Sequence, residues 1–190
     1  MLNTFVVYVD NKPGVLDRVA SLVRRRAFNI ESLTVGPTDE AGASRMTVVV
    51  ETDENGARRI EAHLYKLVNV RLVENITQVP AVTRDLAMIK VKACPETRSH
   101  LLQLVDVYRA RVVDVALGSL IVEITGAEDK ISSLLEVLRP FGILEMVRTG
   151  RVAMVRGEKV RGEKLSPGEK SSQGELPMEF VDNATAAPIV

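Results

Sequence analysis

The 190-residue sequence has no tryptophan, one cysteine and two histidines, and only 4% of its residues are aromatic. Cys94 alone cannot close an intramolecular disulfide. With His63 and His100 as its only imidazoles, the chain also lacks the ligands of a structural zinc site. A reducing compartment is expected. Charge of neither sign prevails, with 25 basic and 25 acidic side chains, so no global field draws in nucleic acid or an anionic membrane. No apolar run approaches the ~20 residues of a membrane span. The N-terminus lacks the charged start and apolar stretch of a signal peptide, and the expected location is cytoplasmic. There is no P-loop, and the glycines lack dinucleotide-binding spacing. Neither histidine adjoins a nucleophile motif, and Cys94 beside Pro95 reads as an ordinary turn residue. With no catalytic residue and no metal ligand set singled out, the reading is that the chain is not an enzyme.

What is present is an ordinary globular balance, 46% hydrophobic and 26% charged, arranged in a pattern that occurs twice. Residues 3–9 (TFVVYVD) are short, apolar and β-branched, and Asp10-Asn11-Lys12-Pro13-Gly14 then breaks the chain. Val15, Val19 and Val23 recur at helical spacing over 15–26. Residues 29–35 and 44–51 read as the strands of a hairpin, and Thr52-Asp53 offers a helix cap. Ile60, Leu64 and Leu67 mark the second helix, and 70–78 the last strand before Pro80. From residue 86 the order restarts: strand LAMIKVK, a break at Cys94-Pro95-Glu96-Thr97, and a helix with Leu101, Leu104, Val105 and Tyr108 inward. A hairpin over 111–117 and 120–125 turns at Gly118-Ser119, Ile131, Leu135 and Leu138 mark another helix, and 143–149 another strand.

The expected fold class is therefore α+β, two ferredoxin-like βαββαβ units spanning 1–79 and 84–156. Each is small enough for pairing with another sheet to be favourable, so a dimer or larger assembly is expected. Residues 157–190 break the pattern. The run Arg156-Gly-Glu-Lys159 recurs as Arg161-Gly-Glu-Lys164, and few apolar residues follow, so this segment reads as a solvated, disordered tail. Pro177–Val190 is more apolar but too short and irregular to form a core of its own, with a docking peptide as the lesser alternative.

The constellation that stands out is Asp10-Asn11-Lys12-Pro13-Gly14-Val15-Leu16, between the first strand and the first helix. A helix start presents unpaired amides and partial positive charge, so the N–H groups around Gly14, Val15 and Leu16 suit a carboxylate. Glycine lets a ligand come close, proline fixes the backbone where no donor is needed, and the Asn11 carbonyl suits an ammonium group. Together they describe a clamp for an amino acid. The bland alternative is a turn followed by a helix start.

The segment DNKPGVLDRVASLVRRRAFNIESLTVGPTDEAGASRMTVVV, Asp10 to Val50, resembles the N-terminal ACT domain of acetolactate synthase (acetohydroxyacid synthase) small regulatory subunits. NIESLTVGPT at 29–38 with SRMT at 44–47 is its most specific part, HLYKLVNV at 63–70 continues it, and the likeness reaches about residue 156. The resemblance implies a non-catalytic subunit that binds and activates a thiamine-diphosphate-dependent large subunit and confers feedback inhibition by valine, leucine or isoleucine. It implies no cofactor in this chain, with thiamine diphosphate, Mg and FAD in the catalytic partner. It also implies a homodimer through the ACT domains. The effector would lie between two chains, with Asn11, Gly14, Val15 and Leu16 on one side and Asn29 with Ile30 on the other.

The second unit departs from the clamp: Cys94-Pro95-Glu96-Thr97 has no glycine and adds an acid, so no effector is expected there. Arg24-Arg25-Arg26 places positive charge at a helix C-terminus, where the helix dipole favours it. Two rival classes share the element order. A free-standing ACT-domain amino-acid sensor is the alternative function. An RNA-recognition sheet needs stacking aromatics that this sequence lacks.

Overall fold

The computed structural model describes residues 1–157. Nine of the described elements are strands, each paired with at least one neighbour, and all sheet pairing is antiparallel. The first unit runs β1 (Leu2–Asp10), α1 (Val15–Arg25), β2 (Ile30–Pro37), β3 (Ala43–Glu51), α2 (Glu54–Leu64) and β4 (Val70–Asn75). The second runs β5 (Ala81–Lys92), α3 (Pro95–Val107), β6 (Arg111–Val115), β7 (Ser119–Gly126), α4 (Glu128–Leu138) and β8 (Ile143–Arg148). A further strand, β9 (Val152–Val155), follows. The sheets have strand orders β2-β3-β1-β4 and β6-β7-β5-β8, which is the ferredoxin-like arrangement expected.

Alternation along the strands decides what each sheet buries. In the first unit Phe5, Val7 and Val9 of β1 share a face with Met46, Val48 and Val50 of β3 and Val73 of β4. Val15, Val19, Leu22 and Val23 of α1 and Ala57, Ile60 and Leu64 of α2 close over that face. Burying one such aliphatic side chain is worth about 1.5–3 kcal/mol, so the stripe of α1 is what holds that helix in place. The second unit repeats the plan, with Ile89 and Val91 of β5, Leu120, Val122 and Ile124 of β7, Leu101 and Val105 of α3, and Ile131, Leu134 and Leu138 of α4.

Three details differ from the sequence reading. The β6–β7 turn covers 116–118, and Ser119 already belongs to β7, closing the turn where Ala116 N–H donates to its carbonyl at 2.9 Å. β5 begins at Ala81, ahead of the apolar run at 86, because its first residues pair with a strand the periodicity does not reveal. That strand is β9: Ala81–Arg84 pair with Val155–Val152, while Asp85–Lys92 form the centre of the second sheet. The expected tail over 157–190 lies, apart from Gly157, outside the described residues.

The β5–β9 ribbon lies on the outer face of the first sheet. Ala153 packs with Val6 and Ile76 in a small third core, joined by Tyr8, Val79, Ala81 and Val155. Arg45 of β3 lies over the Tyr8 ring, 5.7 Å from its centroid, and donates to the Ala153 carbonyl. Among the described residues, no helix is long and apolar enough to cross a membrane.

Candidate effector-binding site

The loop between β1 and α1 is built by Gly14. It caps the helix at φ 80°, a left-handed conformation that costs any L-residue with a side chain about 1–2 kcal/mol. No side chain caps α1, whereas Asp53 Oδ1 caps α2 by accepting from Gly56 N–H at 2.7 Å. The start of α1 is thus left without a side-chain cap on its first amides, although Asp17 lies in its first turn. Val15 N–H makes a long bond of 3.3 Å to the Lys12 carbonyl, and its side chain is 3% exposed in the core, so only its backbone can meet a ligand. Asn11 and Leu16 are exposed. Asn11 N–H donates to the Gly42 carbonyl at 2.8 Å, which anchors the loop to the β2–β3 turn.

A polar cluster holds the root of this loop. Asp10 accepts from Arg71 Nε (2.7 Å) and Asn69 Nδ2 (3.2 Å), and Lys12 Nζ lies 3.3 Å away. The Arg71 guanidinium, then the Asn69 amide, hold the Asp10 carboxyl down at about 2. Arg71 also pairs with Glu40. Asn69 Oδ1 accepts from Arg18 Nη1 at 2.8 Å, which steadies a guanidinium above the first turn of α1. A Cβ on Gly14 would sit 3.9 Å from Arg18 Nη2. None of Asn69, Arg71 or Arg18 was singled out from sequence. Asn69 and Arg71 lie at the start of β4, which antiparallel pairing places beside the end of β1, and Arg18 reaches Asn69 from α1.

The other set of residues expected to contact the effector is elsewhere. Asn29 is exposed and donates to the Glu31 carboxylate, and Ile30 is half-buried at the start of β2. Ile30 pairs with Val50 and Asp10 with Ala43, so the two sets are separated by seven positions of β3. At about 3.3 Å per residue that is about 23 Å, at opposite ends of one sheet. The chain therefore does not bring Asn29 and Ile30 to its own Asn11–Leu16 loop. β2 is also the outermost strand of its sheet, with one edge unpaired among the described residues.

The equivalent turn of the second unit differs. Cys94 replaces Gly14 at the cap position and Pro95 starts α3. The Glu96 carboxyl is drawn below its ordinary range by hydrogen bonds from Cys94 and its own backbone amide. This helix start supplies its own carboxylate. Among the described residues, no three His, Cys, Asp or Glu side chains are grouped as for a metal ion.

The double fold, with one uncapped glycine turn in its first unit, defines a tandem ACT-type protein. Residues 5–71 match the family model of the AHAS small subunit-like ACT domain, and 84–157 that of the small subunit of acetolactate synthase. The chain belongs to the acetolactate synthase small-subunit family. It is 50% identical over 159 residues to the probable acetolactate synthase small subunit of Archaeoglobus fulgidus, covering 84% of this chain and 99% of that protein. It is 44% identical over 157 residues to the acetolactate synthase small subunit of Mycolicibacterium smegmatis, covering 83% and 92%. The crystal structure of the Thermotoga maritima acetolactate synthase small subunit superposes with a TM-score of 0.79 at 38% identity, over 84% of this chain and 99% of that one.

Proposed function

We propose that this chain is the non-catalytic regulatory partner of an acetolactate synthase large subunit, which it stimulates and renders sensitive to feedback inhibition by a branched-chain amino acid, valine foremost. In this reading thiamine diphosphate, Mg and FAD reside in the large subunit and none in this chain, and the complex works in the cytoplasm. The observation that carries the effector reading is the opposite-ended placement of the Asn11–Leu16 loop and Asn29–Ile30. Antiparallel pairing of two β2 edges would set the start of one β2 against the end of the other, and so bring the loop of each chain to Asn29 of its partner. Two equivalent sites would result.

In each site the amides at the start of α1 receive the carboxylate, favoured by the helix dipole. Asn11 accepts from the ammonium group, and Ile30 and Leu16 meet the aliphatic side chain. A ligand of so few atoms binds in the micromolar to millimolar range, which suits a metabolite sensor. An effector preferring one arrangement of the complex by about 1–3 kcal/mol changes activity about five- to 150-fold.

The test is reconstitution with the large subunit from the same source, following acetolactate formation with and without valine. Stimulation that valine reverses is expected. Stimulation indifferent to all three branched-chain amino acids would remove the effector site. No stimulation by the folded protein would remove the partnership and leave a free-standing sensor.

A further inference from the structure

The second unit touches the first at the outer face of β2. Gly150, in the turn between β8 and β9, packs so closely there that a Cβ would fall 2.4 Å from Thr34 Oγ1, 2.8 Å from the Leu33 carbonyl and 2.9 Å from Ser32 Oγ. The next residue fastens the contact: Arg151 N–H donates to Ser32 Oγ at 2.7 Å. On its other side the turn is tied to the body of the second unit. Arg151 pairs with Glu128 at the start of α4 at 2.6 Å, and Arg148 at the end of β8 pairs with the buried Asp85 of β5. A crevice of about 400 Å³ flanks the contact, lined among others by Glu31, Leu33 and Asp85.

β2 thus has two roles. Its start carries Asn29 and Ile30, and two and three residues further on Glu31 and Ser32 meet, respectively, the Asn29 amide and the Arg151 backbone. Close-packed contacts of this kind move as a unit or break, because a gap forfeits the attraction and an overlap is repelled. We propose that the Ser32–Gly150 contact is the positioning element through which occupancy at Asn29–Ile30 reaches the second unit. This inference rests on the effector reading above. Ser32 and Gly150 act on the response and not on the ligand: a shift of β2 is passed to the Gly150–Arg151 turn, and from there through Arg148 and Glu128 to β5, β8 and α4.

The experiment separates binding from response in the reconstituted complex. Two variants are compared with wild type: Ser32→Ala, which removes the hydroxyl without adding bulk, and Gly150→Ala, which drives the surfaces apart. Valine affinity is read by calorimetry and inhibition by acetolactate formation. The expected result is a valine Kd within about twofold of wild type, with the maximal inhibition at saturating valine greatly reduced or lost. Inhibition unchanged in Ser32→Ala, with valine bound normally, overturns the inference and leaves the effector site standing. Affinity lost in parallel with inhibition in Ser32→Ala also overturns it, since the residue would then belong to the site. Wild type that binds no valine overturns the effector reading and this inference together.

Discussion

Arg71 reaches back across 61 positions of sequence to hold Asp10, its Nε 2.7 Å from the carboxylate oxygen. The pair joins the start of β4 to the end of β1 and fixes the root of the Asn11–Gly14 loop. Because Arg71 and Asn69 favour the ionised carboxyl, folding lowers the Asp10 pKa from 3.8 to about 2. Stability from this pair is therefore fully present above about pH 4 and is lost as pH falls through about 2. The difference in melting temperature between wild type and Asp10→Asn should be constant near neutrality and shrink steadily below about pH 4. A difference independent of pH would show that the carboxylate charge contributes nothing.

Gly14→Asp should abolish the valine response of the reconstituted enzyme while the chain remains folded. Its carboxylate would cap the uncapped start of α1 and take the place of the ligand's. Gly14→Ala serves as the control for backbone strain. It carries the cost of φ 80° on a residue with a side chain, about 1–2 kcal/mol, and no charge. Calorimetry with valine on both variants, beside thermal melting, separates the two effects: Gly14→Asp should bind no valine, and Gly14→Ala should bind it at reduced affinity.

Asp85 is 6% exposed and pairs with Arg148, a pair that joins the central strand β5 to its edge neighbour β8. Removing one partner of a buried pair leaves the other desolvated without compensation. Asp85→Ala should cost about 3 kcal/mol in chemical denaturation, toward the low end for such pairs because Arg148 reaches solvent. Arg148 then also loses its hold beside the Gly150 turn, so the same variant should weaken valine inhibition more than it weakens stimulation.

Both βαββαβ units were legible because each element has a strong local signature. Val15, Val19 and Val23 mark α1 because burial on one helix face imposes its period on the sequence, and the short apolar, β-branched run TFVVYVD marks β1, a strand buried on both faces. The clamp loop was legible for the same local reason: Pro13-Gly14 ahead of an apolar stripe is a helix start. Asn29 and Ile30 came only from family resemblance, because nothing local distinguishes a ligand-facing asparagine from one in a turn. β9 was not legible. Its four residues carry too little periodicity, and its partner lies about 70 positions earlier. Arg45 and Gly150 share that difficulty: Arg45 stood out only within SRMT as a marker of likeness, whereas its bond to Ala153 depends on how the second unit folds back.

The opposite-ended geometry makes a prediction that a one-chain site cannot meet. Gly14→Asp alone and Asn29→Ala alone should each destroy or weaken both sites of a homodimer, since every site takes its loop from one chain and Asn29 from the other. In a mixed dimer of one Gly14→Asp chain and one Asn29→Ala chain, both lesions fall in the same site. The second site then combines an intact Asn11–Leu16 loop with an intact Asn29. Co-expression with two affinity tags and tandem purification yields that mixed dimer. Calorimetry should find about one valine bound per mixed dimer, against two for wild type, at near wild-type affinity. If each chain held its own site, every site in the mixed dimer would carry a lesion and no wild-type affinity would return. The separation of about 23 Å between Val50 and Ala43 along β3 requires the first outcome for any ligand as small as valine that contacts both sets of residues.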